Sequence, residues 1–132
     1  MEREALALDI RRIVTDSDLD GVVTAAILRR WWPEAEVVFG HPGELRAGLL
    51  DGQIDRHTAI CDLPRHPDCG LSIDHHQSNA PSEGDDHGVV IIWRETPSAA
   101  RIAYDLLEGE VDLGDLEDML VWVDKLDGGG IN

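Results

Sequence analysis

The chain has 132 residues, 42% of them hydrophobic, which is enough for one folded domain with its own core. With 27 acidic and 11 basic side chains it carries a net charge of −16, so it repels long nucleic acid unless bound cations reverse the local field. No apolar run approaches the roughly 18 residues that a membrane span needs, and the charged N-terminus is unlike a signal peptide. We therefore expect a cytoplasmic protein with no membrane partner.

Five short runs of apolar and β-branched residues, each bounded by turn residues, indicate β-strands. The first run, LDIRRIVT, ends at Thr15. The others are EAEVVFG, RHTAICDL, GLSIDHH and HGVVIIW, over residues 34–40, 56–63, 70–76 and 87–93. The polar stretch between the fourth and fifth runs has no periodicity and indicates a loop.

Helical spacing of apolar residues predicts helices between these strands and after the last one. A helix over 19–32 ends before a proline, and a short helix covers 42–52. The segment 95–109 predicts a third helix, with Thr96 as its N-cap. A last amphipathic helix is expected over 113–128.

Alternating strands and helices predict an α/β fold, a three-layer sandwich in which helices flank a mostly parallel sheet of about five strands. Such sheets bind ligands at the carboxyl ends of their strands. Acidic and imidazole side chains follow the first, third and fourth predicted strands, so we expect them at one edge of the sheet. They are Asp16, Asp18, Asp20, Asp62, Asp74, His75 and His76.

The first acidic segment, DSDLDG at residues 16–21, allows three interpretations. The first is a calcium loop of the EF-hand type, whose early positions it matches. The twelfth position of such a loop is a bidentate glutamate, and here it is Ile27. The sequence therefore argues against calcium.

The second interpretation is a phosphatase. The segment SDLDGVV resembles the first motif of the haloacid dehalogenase-type phosphatases. That resemblance implies Asp18 as the nucleophile and Asp20 as a general acid and base. The segment GDD at 84–86 is the candidate for the magnesium-binding motif of that family, although it precedes a predicted strand instead of following one.

The third interpretation is a dinuclear metal hydrolase, which uses more of the chain. Two metal ions about 3.5–4 Å apart need several carboxylates and at least one that bridges them. Asp62 lies alone at the end of an apolar strand, and Asp74, His75 and His76 end the next. Because neighbouring strand residues point to opposite sides, we expect one histidine to bind metal and the other to meet substrate.

These segments together resemble the four motifs of the DHH phosphoesterase superfamily. The matching parts are DSDLDG, the isolated Asp62, the triplet DHH at 74–76, and an acid after the last helix in WVDKLDGG. The superfamily includes single-strand exonucleases, oligonucleotide and cyclic-dinucleotide phosphodiesterases, exopolyphosphatases and family II inorganic pyrophosphatases. The resemblance extends from Ile13 to Gly128.

The resemblance implies a pair of divalent cations, with Mn expected because the ligands are mostly carboxylates, and with Mg or Co as alternatives. Asp62 would be the bridging carboxylate, and Asp74 would support His75. The implied metal ligands are Asp16, Asp18, Asp20, Asp62, His75 and Asp124, with Asp127 as the alternative to Asp124.

The resemblance also implies the catalytic residues. His76 would meet the substrate phosphate and the leaving group, and Asp20 and Asp62 would act through the metals. Ser98 and Arg101, at the start of the third predicted helix, are candidates for further contacts with a phosphate. Together these residues predict hydrolysis of a phosphodiester or phosphoanhydride bond.

Two features depart from the family pattern. Many members place a histidine ahead of the first acids, where this chain has Val14 and Thr15. Members usually continue into a smaller domain that grips the substrate, whereas this sequence stops at Asn132, after a run of three glycines. We therefore expect residues 1–132 to be the catalytic N-terminal domain of a two-domain protein, with poor activity on its own.

Another class of function stays open. A domain that keeps the ligands without the substrate grip would act as a nucleotide-binding or assembly module. The expected partner is a phosphate-containing small molecule or a short oligonucleotide, since the net charge disfavours long nucleic acid. The acidic segment DLGDLEDML could pack against a second subunit, which makes a homodimer the oligomeric alternative.

Overall fold

The computed structural model describes residues 3–82 and 88–127. At its centre is a five-stranded sheet in which every neighbouring pair is parallel, in the order β2-β1-β3-β4-β5. The strands are β1 (Arg12–Asp16), β2 (Glu36–Gly40), β3 (Thr58–Cys61), β4 (Leu71–Asp74) and β5 (Val90–Trp93). The predicted α/β fold with a parallel five-stranded sheet is confirmed.

Five α-helices connect and cover these strands. They are α1 (Arg3–Leu6), α2 (Leu19–Leu28), α3 (Pro42–Arg46), α4 (Ala99–Leu107) and α5 (Glu117–Asp127). Short 3-10 turns lie at Asp51–Gln53, Gln77–Asn79 and Gly114–Leu116. Among the helices of the described ranges, none has both the length and the apolar character that crossing a bilayer would take.

Two hydrophobic cores lie on opposite faces of the sheet, because alternate strand residues point to opposite sides. Ile13 of β1 and Cys61 of β3 belong to the larger core, which the apolar faces of α2, α4 and α5 complete. Val14 and Ile60, one position away on the same strands, belong to a smaller core. The residues that close the smaller core come from α3 and the surrounding loops: Leu45, Leu50, Ile54, Leu63, Cys69 and Val89.

Helix α2 ends at Leu28, four residues before the predicted end. The Trp31 and Trp32 indole N–H groups donate to the carbonyl oxygens of Leu6 and Leu8, at 3.0 and 2.8 Å. Proline also disfavours helical backbone in the residue before it, which here is Trp32. The two tryptophans therefore leave the helix to hold the N-terminal segment, a contact that helical periodicity does not reveal.

Helix α4 begins two residues later than expected, at Ala99. The predicted N-cap, Thr96, lies outside the helix, and its hydroxyl donates to the Ser98 carbonyl at 2.9 Å. Ser98 is the N-cap, because its hydroxyl oxygen accepts the Arg101 N–H at 3.0 Å. Ser98 is fully buried, so its hydroxyl is fixed in position at this end of the helix.

The net charge of −16 leads to a first prediction. Raising KCl from 0.1 to 1 M shortens the screening length from about 10 Å to about 3 Å, which weakens repulsion between surface carboxylates. We expect the free energy of unfolding, measured by urea titration, to increase over this range.

A matched control is the triple variant Glu34→Gln, Asp105→Asn, Glu108→Gln, which neutralises three exposed acids. The salt dependence should be smaller in this variant. A wild-type stability that stays constant or falls with KCl would contradict the prediction.

Candidate metal centre

Asp62 is the first residue after β3, and its backbone is turned sharply. Its φ of +62° lies in the left-handed region, which residues other than glycine seldom adopt. Its N–H donates to the carbonyl of Ile73 at 2.9 Å, which holds the turn against β4. The side chain is 1% exposed, and neither carboxylate oxygen accepts a hydrogen bond from the described residues. A buried carboxylate whose oxygens accept no hydrogen bond from the described residues is a candidate cation ligand.

Asp74 ends β4 and organises the residues that follow it. Its Oδ1 accepts the backbone N–H of His75 at 2.8 Å and the imidazole Nδ1–H of His76 at 2.6 Å. Its Oδ2 accepts an amide N–H of Asn79 at 2.5 Å. Since the carboxylate accepts from Nδ1, the neutral His76 ring has its lone pair on Nε2. Asp74 therefore orients His76, whose side chain is 44% exposed.

His75 points into the buried side of the centre, with a side chain only 10% exposed. Its Nδ1 lies 3.2 Å from the carbonyl oxygen of Thr96, which can only accept, so Nδ1 carries the proton. Its Nε2 lies 3.4 Å from Asp20 Oδ2 and 3.5 Å from Asp62 Oδ1. An imidazole nitrogen between two carboxylates needs a proton or a cation there to offset the repulsion of lone pairs and negative charge.

Asp16 and Asp18 flank the sharp turn from β1 into α2. Asp16 Oδ1 accepts the N–H of Ser17, and Asp18 caps α2 by accepting the N–H of Gly21, each at 2.8 Å. A Cβ at Gly21 would lie 1.9 Å from the carbonyl oxygen of Asp16. The glycine of the DSDLDG segment thus allows the helix to begin directly against the strand end.

Asp20 has a structural contact that the sequence did not reveal. Its carboxylate is 2% exposed and accepts the N–H groups of Ala99 and Ala100, at 3.0 and 2.8 Å. These are the first two residues of α4, whose N–H groups have no partner within the helix. Asp20 therefore joins α2 to α4, while its Oδ2 also faces His75.

The structure brings three other candidate residues together with one another. Asp124 of α5 accepts the Ser98 hydroxyl at 2.6 Å, and its other oxygen accepts two Arg101 N–H groups at 3.0 and 2.6 Å. These contacts tie α5 to the start of α4, so the Asp124 carboxylate is already paired. The Asp127 side chain and the GDD segment at 84–86 lie outside the described residues.

Two groups of described side chains could each hold a metal ion, and they share one residue. The first group is Asp62, Asp74, His75 and His76, and the second is Asp16, Asp18 and Asp62. Within each group, one ligand atom per residue lies within 4.8 Å of the others. Asp62 is therefore in a position to serve both groups, whereas Asp20 and Asp124 belong to neither.

The electrostatics of the centre follow from this crowding. The pKa of Asp62 is raised to about 9, chiefly by burial; the nearby His75 imidazole opposes this rise, and the negative charges of Asp20 and Asp18 add to it. In the absence of a cation, Asp62 thus keeps its proton at neutral pH. A divalent cation would replace that proton and reduce the repulsion among the neighbouring carboxylates, so the residues present fit such an ion.

Asn79 is a part of the centre that the sequence pattern did not indicate. It lies in the polar segment after β4, where no periodicity marks one residue above its neighbours. Its hydrogen bond to Asp74 fixes the carboxylate that orients His76. Only the spacing from the DHH triplet to a turn-forming Asn could have indicated this contact.

Comparison with known proteins finds a similar solved structure but no matching sequence family. No protein-family model and no curated protein sequence matches the chain. Among solved structures it resembles PggH, a pGpG-specific phosphodiesterase from Vibrio cholerae, with a TM-score of 0.70 and 28% sequence identity. The match covers 92% of this chain and 38% of that one. The chain is thus structurally similar to a phosphodiesterase, and its acidic and histidine cluster is suited to a divalent metal.

Proposed function

We propose that the chain is a DHH-type phosphoesterase that hydrolyses phosphodiester or phosphoanhydride bonds and requires a pair of divalent cations. The observation that carries this proposal is the position of Asp62, which is shared by both candidate ligand groups. A carboxylate with two oxygens free of hydrogen bonds from the described residues can contact two ions at once. The likeness to a phosphodiesterase supports the same reaction class.

The ligand atoms suit two ions of the manganese type. Asp16 and Asp18 would hold one cation and His75 the other, with Asp62 bridging and Asp20 beside His75. Carboxylate oxygens with one imidazole favour Mn, with Mg or Co as alternatives. When bound, such a pair lowers the pKa of a coordinated water towards neutrality and stabilises negative charge on phosphate oxygens.

The chain's own residues supply positioning and proton transfer. His76 is half-exposed at the rim of the centre, where its imidazole can contact the substrate phosphate. Asp74 holds its Nδ1–H at 2.6 Å and stabilises the imidazolium, so His76 can give a proton to the leaving oxygen. His75 is kept in one tautomer by the Thr96 carbonyl.

The expected substrate is a small phosphate-containing molecule or a short oligonucleotide. The similar structure is described as specific for pGpG, a linear dinucleotide, and the net charge of −16 disfavours long nucleic acid. We also propose that residues 1–132 act as the catalytic domain next to a further substrate-gripping domain. The phosphatase alternative, with Asp18 as nucleophile, would leave Asp62 and the DHH triplet without a role.

Metal binding is the first test of this proposal. We expect calorimetry to detect two Mn ions bound per wild-type chain. The Asp62→Asn substitution should lower the binding affinity of both ions by about tenfold or more, because both sites lose a shared ligand. Asp118→Asn, at an exposed position of α5, is the matched control and should bind as wild type.

One outcome would favour the phosphatase alternative instead. That outcome is a single ion that is unaffected by Asp62→Asn and is lost in Asp18→Ala.

The raised pKa of Asp62 gives a prediction for the metal-free chain in a chelator. The folded state keeps a proton that the unfolded state releases above about pH 4. The stabilisation that this proton gives the folded state is therefore complete below the pKa of Asp62 in the unfolded chain. It is lost as pH rises through the pKa of Asp62 in the folded chain, near 9.

Relative to Asp62→Asn, the free energy of unfolding of wild type should fall between pH 5 and 9, by up to about 1.4 kcal/mol per pH unit. Denaturant titrations at matched pH values measure this difference. A difference that does not change with pH would contradict the protonation of Asp62.

The role of His76 predicts a catalytic defect without loss of metal. We expect His76→Gln to lower single-turnover hydrolysis of pGpG by about 10²–10⁴-fold while two Mn ions still bind. The control is His57→Gln, because His57 lies before β3, at the opposite edge of the sheet. Equal rates for His76→Gln and wild type would remove His76 from the mechanism.

A further inference from the structure

Trp93 is the last residue of β5 and lies at the carboxyl edge of the sheet. Its Cα pairs in register with that of Asp74, the residue that ends β4 and begins the DHH triplet. The indole therefore lies at the same edge as the candidate metal centre, on the strand next to it. β5 is also the edge strand on this side of the sheet.

The two hydrophobic cores do not account for this tryptophan. Ile92 of β5 belongs to the larger core and Ile91 packs against the smaller one, as alternation along a strand requires. Among the described residues, Trp93 belongs to neither core and is not packed against either, and it stays partly exposed. Aromatic side chains normally supply much of the burial energy of a core, so this position points to another use.

Two contacts hold the indole of Trp93 beside the DHH triplet. Its Nε1–H donates to the carbonyl oxygen of His76 at 2.9 Å, which fixes the direction of the ring. The side-chain amide of Gln77 donates to the Glu95 carboxylate at 3.3 Å and joins the same two loops. Trp93 is thus held against the backbone of His76, the half-exposed histidine that is proposed to meet the substrate phosphate.

The indole has one polar group, its N–H, and His76 already accepts from that group. In the part of the chain that the structure describes, no other aromatic ring stacks on Trp93 and no cation lies over it. By contrast, the ring of Trp122 has the Lys125 ammonium 5.4 Å from its centroid. A flat and oriented ring with no such partner suits stacking on a planar heterocycle, and every nucleobase offers a π-face for this contact.

We propose that Trp93 binds a nucleobase of the substrate by stacking, next to the phosphate that meets His76. This inference rests on the proposed phosphoesterase function and specifies its substrate class. In a nucleotide only the sugar separates the base from its phosphate, so a phosphate at His76 brings a base within reach of the adjoining indole. The preferred substrates are then nucleotide phosphoesters, over inorganic polyphosphate and over esters without an aromatic ring. Because stacking tolerates any base, Trp93 gives little preference for guanine over adenine.

The test compares GMP with methyl riboside 5′-phosphate, which has the same sugar phosphate and lacks the base. Neither ligand contains a phosphodiester bond, so the proposed reaction consumes neither of them. Affinities are measured by calorimetry with Mn present. We expect wild type to prefer GMP by about 5- to 150-fold, the range of stacking between a base and an aromatic side chain. AMP should bind about as tightly as GMP.

Two variants separate stacking from the hydrogen bond to His76. Trp93→Phe and Trp93→Leu both lose the indole N–H, and only the leucine variant also lacks an aromatic ring. Trp93→Leu should lose the preference for GMP, whereas Trp93→Phe should keep most of it, with affinities for the riboside phosphate within about threefold of each other. The matched control is Trp122→Leu, at an exposed tryptophan of α5, which should retain the preference. No preference in wild type, or an equal loss of preference in both Trp93 variants, would overturn the proposal.

A second readout separates this inference from the proposed function. The indole N–H resonance of Trp93, identified by its absence from Trp93→Phe, is followed by NMR with Mg present. It should shift on addition of GMP and not of the riboside phosphate, because the ring current of a stacked base acts on it. Failure to bind Mn or Mg would refute the phosphoesterase proposal, whereas a cation-loaded chain whose Trp93 resonance does not respond to GMP would refute the role of Trp93.

Discussion

The burial of the Asp62 carboxylate without a hydrogen-bond donor among the described residues is the constraint on which the centre depends. A left-handed backbone turn at the end of β3 places this carboxylate between two sets of possible ligands. Negative charges on Asp18 and Asp20 make its ionisation still less favourable. The chain therefore keeps a destabilised group at the carboxyl edge of its sheet, as functional sites commonly do.

The acidic residues around Asp62 divide by what their oxygens contact. Asp20 holds the first N–H groups of α4, and Asp124 holds Ser98 and Arg101. These contacts join α2 to α4 and α4 to α5, so they hold the helices next to the metal centre in place. Asp74 orients the His76 imidazole through one short hydrogen bond. Asp62 is thus surrounded by other aspartates whose carboxylates, unlike its own, accept hydrogen bonds from described donors.

The sheet could be predicted because each strand is a short apolar run between turn residues, and parallel connections follow from the helices between them. The ends of α2 and α4 were predicted less well. Trp31 and Trp32 leave α2 because their indole groups bond to Leu6 and Leu8, and Ser98 replaces Thr96 as the cap of α4. Both differences arise from contacts between distant or buried groups, which outweigh local propensity.

The sequence by itself determined that the acids and histidines after β1, β3 and β4 share one edge, because parallel strands end on the same side. It also indicated Asp62 as the isolated carboxylate of that edge. Only the tertiary structure decided which carboxylates already have donors. The donors of Asp20 come from Ala99 and Ala100, which are 79 and 80 positions away along the chain. Such partners depend on how α2, α4 and α5 pack, and no local pattern records that packing.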